Sequence, residues 1–537
     1  MSASAKISEQ FDAVVVGAGF AGLYMLHRLR AEGFTVRVVE AAEDVGGTWY
    51  WNRYPGARCD VPSLVYSYSF SEELQQEWDW NERYAAQPEI LSYINHVADR
   101  FELRSDIQFN TTVTSAVFDE SSNRWTVSTD QGDKYSAQFC IMATGCLSSP
   151  RRPDFEGLDS FAGDWYHTGY WPHEGVDFAG QRVGMIGTGS SSIQSIPIIV
   201  EQAEHLTVFQ RTANFSIPAW NHDLDSNTRD EWKSRYAEIR RMLLSGENGI
   251  AMAGNMWAAM EITPEQQREE LELRWQQGGL AMWGPFIDVL NSEQANAIAA
   301  DFVRDKIRAE VHDQEVAELL CPKGYPFGTK RVCVDTDYYA TFNRDNITLI
   351  DIHDSPIEEI TRTGLRTSGT DYEFDSLVFA TGFDAMTGTL LRINIHGRND
   401  ISLRDKWSAG PRTYLGMMTA EFPNLFTITG PGSPSVLSNM IVSIEQHVDW
   451  MTDCMMHLRE QKLGCIEPSK DAEDSWVDHV SELANATLFP QADSWYMGAN
   501  IPGKPRVFMP YIAGIGPYRE ICNGVASKGY EGFVLSA

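Results

Sequence analysis

Short β-branched runs alternate with amphipathic helical stretches at two places in the first 220 residues. Residues 11–16 and 35–39 read as strands that flank an apolar helical stretch. Residues 182–186 and 206–209 repeat the pattern. Because strand–turn–helix–strand units build parallel sheets covered by helices, the pattern predicts an α/β protein with two doubly wound, Rossmann-like domains.

The middle of the chain changes to helical spacing, which predicts an insert in the second domain. Thr263 followed by Pro264 is typical of a helix start, with a capping residue before a proline. Two buried-strand patterns, at 139–143 and 377–379, run into Ala-Thr-Gly, where the chain is expected to cross between domains. The predicted organisation is a first domain of residues 1–152 and 385–537, a second domain of 153–220 and 321–384, and a helical insert of 221–320.

Composition narrows the class of protein further. A net charge of −31 over 537 residues argues against nucleic acid or an anionic membrane as a partner. No apolar run reaches membrane-spanning length, and the start of the chain is short and polar, unlike a secretory leader. The eight cysteines are scattered, without C-x-x-C or metal-ligand spacing. We therefore expect a cytoplasmic protein without a metal, and not a disulfide reductase.

The first glycine motif follows the first predicted strand. It reads Gly17-Ala18-Gly19-Phe20-Ala21-Gly22, and Glu40 ends the next strand, 23 residues after Gly17. Glycines allow a tight turn and close approach of a pyrophosphate, the helix N-terminus offers amide donors, and the acid binds ribose hydroxyls. This unit is predicted to bind a dinucleotide.

The second glycine motif reads Gly187-Thr188-Gly189-Ser190-Ser191-Ser192. Ser192 stands where the third glycine is usual. Arg211, and not an acid, lies 24 residues after Gly187, at the end of the following strand. A cation there accommodates a 2′-phosphate, so this unit is predicted to bind NADPH. Two such units in one chain indicate a flavin together with a nicotinamide.

Between the two motifs lies a third string, Phe161-x-Gly163-x-x-x-His167-Thr168-x-x-Trp171-Pro172. It resembles the fingerprint of the single-chain, FAD- and NADPH-dependent Baeyer–Villiger monooxygenases. Residues 46–60, 430–440 and 494–504 are similar to further segments of that family. The resemblance covers nearly the whole chain and implies conversion of ketones to esters or lactones with O₂, through a C4a-peroxyflavin. The implied partners are a small-molecule ketone and O₂, with no obligate protein partner.

The resemblance also implies site residues. Arg331 would be the catalytic cation, because a guanidinium stabilises anionic species without giving up a proton, and Asp60 would orient it as a bidentate partner. His167 is either a structural hinge or a proton donor. The implied FAD residues are Gly17, Gly19, Phe20, Ala21, Gly22, Glu40, Gly47, Thr48, Trp49, Trp51, Asp60, Tyr66, Val113 and Met440. The implied NADP residues are Arg58, Asp60, Gly187, Thr188, Gly189, Ser190, Ser191, Ser192, Gln194, Arg211, Thr212, Lys330, Arg331 and Trp495.

Two other functions stay open at this point: an N- or S-hydroxylating flavin monooxygenase, and a flavoprotein that only transfers electrons. The length of the 430–440 loop resembles the phenylacetone and steroid monooxygenase branch, which implies aryl or bulky apolar ketones. The apolar loop at 278–286 is either a substrate-side wall or packing of the insert on the second domain. The preferred ketone, the selectivity and the oligomeric state do not follow from the sequence.

Overall fold

The computed structural model describes residues 9–250 and 256–537. The polar start of the chain, up to residue 8, and residues 251–255 of the predicted insert lie outside the described residues. The strands are β1 Glu9–Val16, β2 Val36–Val39, β3 Ile107–Gln108, β4 Val113–Asp119, β5 Arg124–Thr129, β6 Lys134–Met142, β7 Asp164–His167, β8 Arg182–Ile186, β9 His205–Gln210, β10 Ser216–Pro218, β11 Cys333–Asp335, β12 Ile347–Asp351, β13 Ile357–Thr361, β14 Gly364–Thr367, β15 Thr370–Glu373, β16 Ser376–Phe379, β17 Asn394–His396, β18 Leu425–Thr427, β19 Cys465–Pro468 and β20 Phe533–Ser536. The helices are α1 Phe20–Ala31, α2 Thr48–Trp51, α3 Glu72–Glu77, α4 Gln87–Arg100, α5 Ser190–Gln202, α6 Ser226–Ser245, α7 Pro264–Gln277, α8 Glu293–Glu310, α9 Gln314–Leu320, α10 Tyr338–Thr341, α11 Gly388–Arg392, α12 Leu403–Lys406, α13 Met440–Gln461, α14 Lys470–Asn485 and α15 Ile515–Ser527.

The larger sheet forms the first domain. Its strand order is β17-β4-β5-β6-β1-β2-β3, and β18 also pairs with β6. The central strand β1 is parallel to β2 and β6, and its last four residues are buried. Helix α13 crosses back over α1 on this sheet. Because β17 and β18 come from the last third of the chain, that part does return to the first domain, as the sequence indicated.

The second sheet has the order β12-β9-β8-β16-β7, with every pair parallel. Its strands are short and apolar because both faces are covered. Strand β16 ends at Phe379, directly before the second Ala-Thr-Gly. The predicted domain limits stay a prediction.

The helical insert divides its contacts between the two domains. Helix α6 packs on α15 and on the turn at Ser63–Val65, and its buried Arg240 donates to the Val65 carbonyl and the Ser67 hydroxyl. Residues of α7, α8 and α9 instead share a core with the second sheet. Thr263 caps α7 as the sequence predicts, through the Gln266 amide. The insert therefore bridges the domains instead of covering one of them.

Three features of residues 9–250 and 256–537 bear on the expectations from composition. All eight cysteines are free and buried. No helix within these ranges has both the length and the apolar character needed to cross a bilayer. Within the same ranges, no group of three or more His, Cys, Asp and Glu side chains is arranged to hold a metal ion.

Candidate active site

The first glycine turn connects β1 to α1 and leaves the helix N-terminus open. Gly17 has φ +105°, and a side chain at Gly22 would come within 1.8 Å of the Gly17 carbonyl oxygen. Helix α1 has Gly19 as its N-cap, with no side-chain capping bond. Uncapped amides at the start of a 12-residue helix, next to glycine backbone, fit a pyrophosphate.

Glu40 lies at the end of β2 and is only 5% exposed. Its carboxylate accepts hydrogen bonds from the Ala18 amide at 2.6 Å and the Ala42 amide at 2.8 Å. Burial raises the pKa of Glu40, while the backbone donors act in the opposite direction. The Ala41 amide acts on the carboxylate as well, and since a carboxylate has about four acceptor sites, capacity remains for a ribose hydroxyl.

Several of the residues predicted to line the flavin lie beside this turn. Gly47, with φ +53°, lies against Gly19 and begins α2. The Trp49 indole donates to the Tyr66 hydroxyl at 3.2 Å, and the ring of Phe20 lies 5.6 Å from that of Tyr66. Among the other predicted residues, Val113 is buried at the start of β4, Thr48 and Trp51 lie on α2, and Met440 begins α13.

The second glycine turn connects β8 to α5. Gly187 has φ +112°, and Gly189 is an N-cap without a side-chain bond and with open space in front of it. The Ser192 hydroxyl donates to the Gly187 carbonyl at 2.5 Å. The serine is tolerated in place of the usual glycine because its polar atom bonds to the backbone that it approaches.

Beyond that turn, cations gather where a 2′-phosphate is expected. Arg211 is exposed just after β9, and the Thr188 hydroxyl donates to the Thr212 carbonyl at 2.9 Å. The Lys330 ammonium lies 4.5 Å from the centre of the Tyr325 ring. Burial and then the neighbouring Arg211 charge lower the pKa of Lys330. The Asp493 carboxylate acts on the pKa of Lys330 in the opposite direction but more weakly. Two neighbouring cations at the end of β9 fit a phosphate site.

Gln194 and Arg58 join the two domains directly. The Gln194 side chain accepts from the Tyr54 hydroxyl at 2.9 Å and donates to the Arg58 carbonyl at 3.0 Å. The Arg58 guanidinium pairs with Glu82 and with the Tyr84 carbonyl. Both residues were predicted to bind NADP, and the described contacts instead place them at the seam between the domains, next to the open end of α5. Their cofactor role stays a prediction.

The predicted catalytic pair forms, although 271 positions separate its members. Arg331 donates from Nε to Asp60 Oδ2 at 2.9 Å, and its Nη2 lies 2.7 Å from the same oxygen. Its Nη1 donates to the Val436 carbonyl at 2.7 Å. The pair differs from the expected bidentate arrangement, in which two nitrogens meet two carboxylate oxygens. Here Nε and Nη2 both meet Asp60 Oδ2, and Nη1 bonds the Val436 carbonyl instead. The guanidinium is thus fixed by two distant segments of the chain, those that carry Asp60 and Val436.

The environment of Arg331 keeps it charged. Burial alone would lower the pKa of Arg331, but the Asp60 carboxylate and Tyr496 outweigh it and the pKa is raised. The indole of Trp283 lies 5.6 Å from the guanidinium carbon, so the apolar 278–286 loop contributes to the site. The Val436 carbonyl and the Tyr496 hydroxyl were not predicted as part of this site, although both residues lie in segments that resemble the family.

His167 lies at the end of β7, away from Arg331, and is 3% exposed. Its Nδ1 accepts from the Gly169 amide at 3.0 Å, so the ring proton is on Nε2, 3.1 Å from the Thr381 hydroxyl. That hydroxyl donates to the Arg151 carbonyl at 2.9 Å. His167 thus ties together both crossings between the domains, and burial lowers its pKa to about 4. This geometry favours the hinge over the proton donor.

The C-terminal segment that carries Trp495 lies next to Arg331 and Asp60. Trp495 is half-buried, and its ring centre is 4.2 Å from that of Tyr496. The Lys504 ammonium bonds Asp384 at 2.7 Å, and the Asn500 side chain donates to the Phe383 carbonyl at 2.8 Å. The segment is therefore attached to the second interdomain crossing.

Comparison with known proteins agrees with this arrangement. A family model described as "Pyridine nucleotide-disulphide oxidoreductase" matches residues 14–269. The acetone monooxygenase (methyl acetate-forming) of Gordonia sp. (strain TY-5) is 43% identical over 98% of this chain and 99% of its own length. A Baeyer–Villiger monooxygenase of Pseudooceanicola batsensis is 44% identical over 98% and 97%. The solved structure of oxidized steroid monooxygenase bound to NADP superimposes with a TM-score of 0.95, at 53% identity over 98% of this chain and 99% of the other.

One relative carries a different activity: the phenazine N-monooxygenase PhzNO1 of Lysobacter antibioticus is 40% identical over 98% of this chain and 97% of its own. The weight of the full-length relatives nevertheless lies with ketone oxygenation. The chain belongs to the Baeyer–Villiger monooxygenases, flavoproteins with two dinucleotide-binding domains. The predicted fold class, enzyme class and cofactor pair, FAD and NADPH, are thereby confirmed.

Proposed function

We propose that this enzyme oxygenates aryl or bulky apolar ketones, giving esters or lactones, at a site centred on Arg331. The observation that carries the proposal is the three-point hold on its guanidinium by Asp60 and the Val436 carbonyl. Such a hold leaves a fixed positive charge that does not act as an acid. It suits a reaction in which negative charge develops on a carbonyl oxygen.

The first domain would hold FAD, which would supply the hydride acceptor for NADPH and the activation of O₂. Residues of the chain bind the two cofactors and stabilise the charge that develops during the reaction. Arg331 stabilises negative charge beside the flavin, and Asp60 keeps the guanidinium aimed. The amides at the start of α1 with Glu40 bind the flavin dinucleotide, while those at the start of α5 with Arg211, Thr212 and Lys330 bind NADPH. His167 acts as the hinge, and Trp495 contacts the nicotinamide.

The ketone preference rests on the apolar side chains beside the guanidinium. Val436, Met386 and Met497 belong to one buried apolar cluster, against which Met440 and Trp283 pack half-buried. Thioether side chains adapt to bulky apolar groups, and an indole suits an aryl ring. Small cyclic ketones would leave part of this wall without a contact.

The test compares kcat/KM for phenylacetone, a steroid ketone and cyclohexanone, with an amine and a sulfide as rival substrates. Val436→Ala removes the side chain but keeps the carbonyl that holds Arg331, whereas deleting the loop residue would remove both. The exposed Val534, on β20, gives the matched control Val534→Ala. We expect ester from the bulky ketones and a changed ranking only in Val436→Ala. Oxidation of the amine or sulfide without ester would contradict the function, and an unchanged ranking would contradict the role of Val436.

We also propose that the enzyme acts in the cytoplasm on a small-molecule ketone without an obligate partner protein. The eight free, buried cysteines support a reducing compartment. Size-exclusion chromatography of the active enzyme, together with activity of the purified chain alone, tests the absence of a partner.

A further inference from the structure

The Tyr496 hydroxyl is a buried donor without an acceptor. Tyr496 is 0% exposed, and its hydroxyl oxygen faces the Arg331 guanidinium, but its hydrogen meets no acceptor among the residues that the structure describes. The ring cannot easily turn away, because Phe489 packs 5.7 Å and Trp495 4.2 Å from it, and the Met509 amide bonds its carbonyl at 2.9 Å. An unpaired buried hydroxyl destabilises a fold, so such a group in a site indicates a missing ligand partner.

The surroundings of the hydroxyl define what that partner must be. Tyr496 and Val436 belong to the same buried cluster, and the Val436 carbonyl holds Arg331. Among charged groups, Arg331 affects the Tyr496 phenol most strongly, followed by Asp60. A guanidinium only donates hydrogen bonds. The hydroxyl hydrogen therefore has no acceptor on Arg331, and the partner must bring one.

The phenol is also chemically suited to stay a donor. Burial raises the pKa of Tyr496 to about 12, although the Arg331 charge acts in the opposite direction. At neutral pH the hydroxyl is protonated, so it donates a hydrogen bond without transferring its proton. The ligand atom that it meets is an uncharged or partly negative oxygen, such as a carbonyl oxygen.

We propose that the Tyr496 hydroxyl donates a hydrogen bond to the carbonyl oxygen of the bound ketone, next to the N–H groups of Arg331 that the protein leaves free. This inference rests on the proposed ketone oxygenation. The ketone oxygen would then meet one neutral donor and one cation, which fixes the carbonyl in the plane that the two donors define. The carboxamide of the nicotinamide carries the same chemistry, and the experiment separates the two sources.

The test is Tyr496→Phe, which removes only the oxygen atom. We expect kcat/KM for the ketone to fall about 5- to 100-fold, the worth of one buried hydrogen bond, with both kcat and KM affected because the oxygen gains charge during the reaction. NADPH should reduce the flavin at the parent rate without ketone. The midpoint of thermal unfolding should change little, because no acceptor in the protein loses a donor, whereas loss of a hydroxyl that donates within the protein would lower it.

The matched control is Tyr135→Phe, a buried tyrosine on β6 whose hydroxyl donates to Asp133; it should keep the parent kcat/KM and flavin reduction and lose a little stability. Ester formation by Tyr496→Phe at the parent kcat/KM would overturn the inference while leaving ketone oxygenation intact. A slower flavin reduction without ketone would assign the hydroxyl to the nicotinamide and overturn it too. If the parent itself forms no ester, the proposed function fails first.

Discussion

Replacing Arg331 by alanine separates the oxygenation step from flavin reduction. A guanidinium carries five N–H groups. Nε and one hydrogen of Nη2 are directed to Asp60, and one hydrogen of Nη1 to Val436. Roughly two N–H groups are thus left for the Tyr496 hydroxyl oxygen and the reacting oxygen. At about 1.5–3 kcal/mol for each charge-assisted bond, loss of one or two bonds to the reacting oxygen amounts to about 1.5–6 kcal/mol, or roughly 10- to 10⁴-fold in the rate of ester formation.

The assay follows both halves of the reaction. Stopped-flow absorbance measures flavin reduction by NADPH, which we expect to change little, and mass spectrometry measures ester against released hydrogen peroxide. NADPH consumption should continue while peroxide replaces ester. Arg308→Ala, which removes a surface arginine paired with Glu318, is the control for loss of an ion pair. Ester formation within tenfold of the parent would refute the assignment of Arg331.

Three smaller changes test other parts of the site. Arg211→Ala should raise the KM for NADPH about 10- to 150-fold and spare NADH; equal weakening of both would move the 2′-phosphate contact elsewhere. Ser192→Ala should lower stability by about 1 kcal/mol in urea unfolding, since the Gly187 carbonyl loses its donor, and an unaltered midpoint would show the bond to be worthless. His167 stays neutral down to a pKa of about 4 when folded, against 6.5 ordinarily. The unfolded chain therefore takes up the proton first. The free energy of unfolding should fall as pH drops from 6.5 towards 4, by on the order of 3 kcal/mol from this residue. His167→Gln should lose that part of the pH dependence, and a pH profile identical to the parent's would contradict the argument.

Local patterns predicted the scaffold well. The strands around both glycine motifs form within one or two residues of the expected limits, because β-branched runs and glycine turns act over short stretches of chain. Thr263 caps its helix as predicted. The role of Glu40 was also predictable from the sequence. Its hydrogen bonds from the Ala18 and Ala42 amides were not, because these amides belong to loops whose positions no local pattern predicts.

The centre of the site could not be derived in that way. Asp60 and Arg331 meet only when two domains pack, and a family resemblance, not spacing, suggested the pair. The Val436 carbonyl is a backbone group, and any residue at that position would supply it. The residue type at position 436 therefore does not predict the contact. Tyr496 lies in the 494–504 segment, which resembles the family. Only the packed structure shows that its hydroxyl hydrogen has no acceptor among the described residues. Contacts distant in sequence depend on the packing of whole domains, and motifs do not record them.

The most direct test of the central claim is the fate of labelled oxygen. The purified enzyme, supplied with FAD, NADPH, ¹⁸O₂ and phenylacetone, should yield an ester that carries a single ¹⁸O atom, with one NADPH consumed for each ester. Mass spectrometry of the product reads both the mass increase and its position. Unlabelled ester, or NADPH consumption that ends only in labelled peroxide, would contradict the account.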